Sequence, residues 1–354
     1  MSEITKLDHC FTIPWPTGGE DTKFYNGEEK PFRLYGMPRG LKSRIEENLD
    51  VPDNVVMLGR CTAGARIRFK TDSDYLVVRL TLPLVHQLAH MPLSSVVGCD
   101  AYIREKGEYT YAGTFIPPRY TGEIATRGGY ESLIRLGERK MRDITINLPL
   151  FNPVSGISIG VNQDAVVEEG DNYSCEKPIV FYGSSVTQGC SASRPGNSYE
   201  AILSRRFDVD FINLGFAGNA RAEKDMAEYV ASLDMSMFVY DYDYNAPNVE
   251  HLEKTHKRMF DIIRNKHPYI PIIVASMPKV GLTQTGMQRR EIIRETCLEA
   301  KKNGDQNVYF VDGTEFFKDF GGDATCTVDG IHPNDLGFWG MATKFAEVME
   351  KISF

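Results

Sequence analysis

The sequence predicts an antiparallel β-sandwich followed by an α/β domain built on a parallel sheet. Three observations carry this. A chain of 354 residues is longer than one hydrophobic core usually serves, so two domains are expected. The first half shows short apolar or alternating runs broken by Gly, Pro and Asp. After about Asn172 short apolar runs alternate instead with longer stretches of helical periodicity. The expected domains are residues 1–172 and 173–354.

In the first half, Ala65 to Lys70 (ARIRFK) alternates, and Tyr75 to Leu82 (YLVVRLTL) is β-branched and apolar. Val96 to Ile103, Tyr109 to Ile116, Asp143 to Leu148 and Gly156 to Val161 follow in the same style. Short strands with such breaks suit an antiparallel, jelly-roll-like sandwich. A short helix is expected near Gly40 to Asn48. The joint VVEEGDNYSCEKP is polar and rich in breakers, as a linker should be.

In the second half, five runs read as strands: Ile179 to Tyr182, Val209 to Leu214, Met237 to Tyr240, Pro271 to Ala275 and Val308 to Val311. Helical patterns lie between or after them, over Val249 to Lys266, Arg289 to Lys302 and Phe338 to Ile352. That alternation predicts a parallel sheet with helices on both faces. Five strands fit a flavodoxin-like doubly wound order, in which ligands sit beyond the carboxyl ends of the strands.

Composition excludes several classes of function. Apolar residues are 42% and charged residues 25%, as in ordinary globular proteins. A net charge of -8 argues against nucleic acid or anionic membrane as partner. No run of eighteen apolar residues is present, and the first residues lack the basic start and apolar stretch of a secretory signal, so the expected location is cytoplasmic. The seven cysteines, Cys10, Cys61, Cys99, Cys175, Cys190, Cys297 and Cys326, are odd in number and form no C-x-x-C pair. They fit a reducing compartment with buried thiols. No His/Cys cluster has zinc spacing, and Asp241 and Asp243 lack a third carboxylate at matching spacing, so neither a metal nor another cofactor is expected.

Four short segments each lie at a predicted strand end or just ahead of the final helix. The first is Gly183-Ser184-Ser185-Val186-Thr187, where a serine opening a helix lies near N–H groups able to stabilise an anion beside it. The same residues also suit a helix cap. The second is Asn213 to Asn219 (NLGFAGN), where a glycine lets the backbone aim an N–H at a ligand or simply turns the chain. The third, Asp241 to Asn245 (DYDYN), offers a side-chain amide to an oxyanion, or is a plain loop. The fourth, Asp329-Gly330-Ile331-His332-Pro333, sets Asp and His three apart, so the carboxylate can fix the imidazole's tautomer. Among the other six histidines only His256 has an acid, Glu253, at that spacing, and the pair reads as solvated helix surface.

Together these segments resemble the four blocks of the SGNH (GDSL-type) hydrolases: Ser185 in GSSVT, Gly218 in NLGFAG, Asn245 in DYDYN, and Asp329 with His332 in DGIHP. The resemblance covers roughly residues 176–354. The first block usually reads G-D-S, and Ser184 replaces its aspartate. The third usually reads G-x-N-D, and here Asp241 and Ala246 take the first and last places. Upstream, Gly98-Cys99-Asp100-Ala101-Tyr102 resembles the G-x-D-L-Y motif of a β-sandwich found ahead of some of these domains.

The resemblance implies a serine esterase with Ser185 as nucleophile, His332 as base and Asp329 as its orienting acid. The oxyanion hole would be formed by Ser185, Gly218 and Asn245. It implies a short acyl ester, acetyl above all, carried by a small molecule or a glycan. Tyr199, Tyr242, Tyr244 and Trp339 lie near the blocks as candidates to stack on a sugar ring, or as packing residues. Arg194 either contacts a polar or anionic substrate or pairs with a surface acid. A lipase or lysophospholipase is the alternative within enzymes, and a carbohydrate-binding protein on an SGNH scaffold the alternative outside them.

Overall fold

The alternating runs of the first half form two antiparallel sheets in the computed structural model, which describes residues 21–119 and 121–352. The strands are β1 (Thr22–Asn26), β2 (Arg33–Tyr35), β3 (Pro38–Leu41), β4 (Arg66–Thr71), β5 (Tyr75–Thr81), β6 (Cys99–Glu105), β7 (Glu108–Phe115), β8 (Gly129–Arg135), β9 (Arg142–Asn147), β10 (Gly156–Asn162) and β11 (Val167–Glu169). One sheet has the order β1-β10-β5-β8. The other runs β11-β4-β9-β6-β7, with β2 also paired to β4.

Three expectations need correction here. No helix forms over Gly40–Asn48. Gly40, at φ +72°, lies inside β3, and the helix comes later as α1 (Asp53–Leu58), begun by Pro52. A proline just before the first turn suits a helix start, because the N–H it lacks would have had no partner there. The run from Val96 does not open as a strand. It ends a one-turn helix, α2 (Leu93–Val96), and Gly98 packs so closely on Ser94 that a side chain would not fit. The polar joint is not wholly linker, because β11 lies within it and pairs with β4. A further helix, α3 (Thr121–Arg127), precedes β8.

The second half contains β12 (Cys175–Gly183), β13 (Val209–Gly215), β14 (Met237–Asp241), β15 (Ile272–Ala275) and β16 (Val308–Val311). All pairings are parallel, in the order β13-β12-β14-β15-β16, which is the doubly wound order the sequence predicts. Helices α4 (Ser185–Gln188), α5 (Tyr199–Phe207), α6 (Lys224–Ser232), α7 (Val249–Lys266), α8 (Gln284–Lys302), α9 (Asp323–Cys326) and α10 (Asp335–Met349) complete it.

Side-chain period two sends alternate residues of β12 to opposite faces. Val180 and Tyr182 join a core with Ile212, Leu214, Phe238 and Tyr240, closed by Met226 and Val230 of α6, Leu252 and Met259 of α7, and Ile293 of α8. On the other face Phe181 meets Tyr199 of α5 edge-on at 5.6 Å, and Tyr199 stacks on Phe345 of α10 at 5.1 Å. Both faces of β12 are therefore dry from Ile179 to Gly183, which explains its unbroken apolar run.

The chain divides into two units. One takes residues up to Lys42, Arg60–Asn172 and Arg194–Gly196; the other takes Ser43–Gly59, Tyr173–Ser193 and Asn197–Phe354. Two short segments thus belong to the unit other than their neighbours in sequence. The described cysteines are free thiols, buried except for the half-buried Cys175, while Cys10 lies outside the described residues. No described helix is long and apolar enough to cross a membrane.

His256 is not solvated helix surface. It is 1% exposed, stacks on Tyr240 at 4.6 Å, and its Nδ1 hydrogen-bonds the hydroxyl of Thr296 at 2.9 Å, while Glu253 is exposed. Burial pushes the imidazole from its ordinary 6.5 down to about 3. The unfolded imidazole takes up a proton below about 6.5 and the folded one does not, so stability falls as the pH drops through that window. Urea unfolding between pH 7 and pH 4 should show a shallower loss of stability for His256→Phe than for the wild-type protein.

Candidate active site

The central strand β12 is flanked by β13 and β14 in matched register, with Gly183 opposite both Gly215 and Asp241. Ser185, Gly218 and Asn245 follow those three positions by two, three and four residues. All three loops therefore leave the sheet at its carboxyl edge.

Ser185 opens α4. The hydroxyl of the preceding Ser184 accepts the N–H of Val186 at 3.2 Å, and Gly189 ends the helix at φ 93°. The N–H of Ser185, in the first turn, has no acceptor within the helix. Two residues of this turn hold its neighbours. Thr187 O accepts Asn213 Nδ2 at 2.6 Å, and Gln188 Oε1 accepts the N–H of Ala217 at 3.1 Å.

The second loop turns at Gly218, whose φ of +72° favours glycine although a Cβ there would meet nothing within 4 Å. Ala217 N–H is taken by Gln188, and those of Asn219 and Ala220 by Phe216 O. Gly218 N–H has no backbone acceptor among the described residues. Asn245 closes a 3-10 turn over Asp243–Asn245, and its Oδ1 accepts the N–H of Ala220 at 3.1 Å. With the oxygen so engaged, the donor side of the amide is left for a ligand.

The fourth segment brings His332 and Asp329 into line with Ser185. His332 Nε2 lies 2.9 Å from Ser185 Oγ, and His332 Nδ1 lies 2.7 Å from Asp329 Oδ2. The backbone N–H groups of His332 and Ile331 both donate to Asp329 Oδ1, at 2.8 and 3.0 Å. Burial alone would raise this carboxyl, but the hydrogen bonds from the His332 backbone and ring and from Ile331 outweigh it and hold Asp329 at about 2. The carboxylate therefore stays ionised at neutral pH, so Nδ1 carries a proton and Nε2 is left as acceptor. Gly330 gives the turn its φ of +86°, and its carbonyl accepts Lys279 Nζ at 2.8 Å. Directly after the turn, Asp335 at the start of α10 accepts Ser193 N at 2.8 Å and Asn197 Nδ2 at 2.8 Å.

The candidate substrate contacts fare unevenly. Tyr242 is 1% exposed, packs on Tyr182 and bonds the hydroxyl of Thr255 at 2.8 Å, so its ring is core rather than a platform for a sugar. Tyr199 is likewise core, for both its faces are covered. Tyr244 is half-buried and donates to Pro278 O at 3.3 Å. Trp339 is 54% exposed on α10, near Val328, Ile331 and Leu336 in sequence, which are also exposed. Arg194 pairs with an acid, and a buried one. Its Nη1 donates to Asp100 Oδ2 at 2.6 Å and to the Tyr102 hydroxyl, and its guanidinium lies 4.2 Å from the centre of the Tyr111 ring. Asp100, fully buried, also accepts Asn147 Nδ2 at 2.8 Å and Gly196 N at 3.0 Å. The aspartate of the G-x-D-L-Y-like segment thus holds the segment Arg194–Gly196.

Sequence reasoning gave Thr187 no role beyond a helix cap and missed Gln188, Lys279 and Asp335. Thr187 and Gln188 are detectable only as the residues that follow a serine on the same helical turn, and Lys279 carries no local signal.

The chain belongs to the GDSL-like lipase/acylhydrolase family, whose model matches residues 176–351. A second model, for the N-terminus of SGNH hydrolase-type esterases, matches residues 40–167. A structure described as a GDSL-like lipase from Bacteroides ovatus is 30% identical, covers 93% of this chain and 97% of its own, and superposes with a TM-score of 0.80. A salicylyl-acyltransferase from a tetracycline biosynthetic pathway is 18% identical over 94% of this chain and 98% of its own, at 0.72. An acetyl xylan esterase from the rumen bacterium Butyrivibrio proteoclasticus is 12% identical over 93% and 98%, at 0.57, and shares the fold. No curated protein matches the sequence.

Gly218→Ala would force an alanine into the left-handed region, at a cost of about 1–2 kcal/mol. The midpoint of urea unfolding should fall accordingly, with an unchanged slope.

Proposed function

We propose that this ester hydrolase is a serine esterase that removes short acyl groups, acetyl above all, from a carbohydrate. The observation that carries the reading is the continuous line of hydrogen bonds from Ser185 Oγ through His332 to Asp329, at 2.9 and 2.7 Å. His332 Nε2 takes the proton of the Ser185 hydroxyl as the oxygen attacks the ester carbonyl. Asp329 fixes the ring and stabilises its charged form. Negative charge on the carbonyl oxygen is met by the N–H groups of Ser185 and Gly218 and by Asn245 Nδ2. His332 then returns the proton to the departing alcohol. A water, deprotonated by the same nitrogen, releases the carboxylic acid from Ser185.

The carbohydrate part rests on likeness of fold. An acetyl xylan esterase and family two carbohydrate esterases from Clostridium thermocellum and Cellvibrio japonicus share the fold over 82–93% of this chain. A lipase is the second reading, and one observation favours it. Val328, Ile331, Leu336 and Trp339, flanking His332 in sequence, are all exposed and would suit a longer acyl chain. In either case the partner is the ester itself, and nucleic acid and membrane are not part of the proposal.

Hydrolysis of p-nitrophenyl esters tests the reading. Ser185→Ala and His332→Ala should lose nearly all turnover, and Asn245→Ala should lose about 100- to 1000-fold in kcat. An optimum at acetyl, with release of acetate from an acetylated oligosaccharide, fits the proposal. An optimum at octanoyl or longer would favour the lipase, and wild-type activity in Ser185→Ala would remove Ser185 as nucleophile.

A further inference from the structure

Beneath Ser185 lies a buried acid that the esterase cycle does not use. Asp241 ends β14 in register with Gly183 and is 4% exposed. Its Oδ1 is hydrogen-bonded by the hydroxyl of Thr187, and its Oδ2 by that of Tyr199 at 3.3 Å. The space for this contact exists because residue 183 is glycine. A Cβ there would overlap both Asp241 Oδ1 and Thr187 Oγ1. Thr187 is held a second time through its carbonyl, by Asn213 Nδ2. A helix of four residues has almost no stability of its own, so its orientation is set by such contacts.

The surroundings also fix the charge state. Thr187 faces Asp241 from α4, Tyr199 and Glu200 sit on α5, and Asp243 follows two residues on. Burial pushes the Asp241 carboxyl up to about 8; the Thr187 hydrogen bond opposes the rise and the neighbouring Asp243 adds to it. Burial likewise pushes Glu200 well up, with Asp241 adding to the effect. A neutral carboxyl at 241 still offers an accepting oxygen to the Thr187 hydroxyl, as an asparagine amide would.

Granted that Ser185 is the nucleophile, we propose that Asp241 is a positioning residue. Through Thr187 it fixes the one-turn helix that opens at Ser185, and with it the alignment of Ser185 Oγ on His332 Nε2. The contribution is geometric, since displacing a reacting group by about an ångström can cost about 100-fold in rate.

The test uses the full-length protein, p-nitrophenyl acetate, and a fluorophosphonate probe that counts competent serines. Asp241→Ala and Thr187→Val should lower kcat per competent site by about 10- to 100-fold with KM within about twofold. The conservative variants Asp241→Asn and Thr187→Ser should keep kcat within about threefold. Thr187→Val is nearly isosteric and guards against misfolding of Asp241→Ala. Wild-type kcat in both severe variants overturns the proposal. So does an Asp241→Asn protein as slow as Asp241→Ala, or a loss that vanishes once rates are divided by competent sites. Ser185→Ala is the control: if it still turns over and labels, the nucleophile assignment fails and this inference with it. If Ser185→Ala is dead while Asp241→Ala and Thr187→Val are intact, the positioning role alone fails.

Discussion

The parallel pairing of β12 with β13 on one side and β14 on the other is the constraint on which the site depends. A strand flanked on both edges gives all its backbone N–H and C=O groups to its neighbours, and it must do so where both faces are dry. Once Gly183 lies opposite Gly215 and Asp241, a loop of a few residues after each strand has nowhere to go but the same edge. The chemistry of Ser185, Gly218 and Asn245 is thus assembled by backbone register before any side chain is considered. A slip of one residue would send the apolar residues of β12 to the wrong faces, so the apolar pattern that builds the core also fixes the register.

Just beyond the sheet, polar groups are buried and must find one another. Thr187, Asn213, Gln188, Asp241 and Asp243 are all buried. Their partners are each other or the backbone of the adjacent loop: Asn213 with Thr187 O, Gln188 with Ala217 N, Asp243 with Met277 N. In so dry a place an unmade hydrogen bond is expensive, and of the carboxylate oxygens named here Asp243 Oδ1 is the one left without a partner among the described residues. Burial also raises Asp243 to about 6, with Met277 N–H and Arg289 opposing the rise. The loops are thus tied to one another by buried side chains that lie outside the proposed cycle.

What could be read in the sequence follows from this division. The five parallel strands are legible because strands buried on both faces are continuous apolar runs. The blocks are legible because a strand end followed by Gly, Ser or Asn is a local pattern. Contacts decided by tertiary packing are not. His256 sits in a string of charged residues and looks solvated, yet α7 turns it onto Tyr240. Tyr242 lies within a block and looks available, but the strand's alternation carries it to the core. Strand β8, GYESLIR, mixes Glu131 and Ser132 into its run, and both are buried, Glu131 in a pair with Arg79. No local pattern announces such a pair. Arg194 is the same case, since the buried carboxylate it meets is ninety-four residues away in sequence.

The exposure of the groups themselves completes the argument. The floor of the site, from Thr187 to Asp241, is dry, while the side chains of His332 and Asp329 are 19% and 37% exposed. In the proposed cycle the base passes a proton to the leaving alcohol and then takes one from water, which calls for solvent at hand. The proposed nucleophile lies 2.9 Å from that base and sits on the buried floor. Burial below and access above meet both needs with the same few residues. Ile331 and Trp339, by contrast, are exposed and take no part in the floor. On the proposed reading the reaction class rests on the hydrogen-bonded arrangement over that floor, and the choice of ester would rest with such exposed residues.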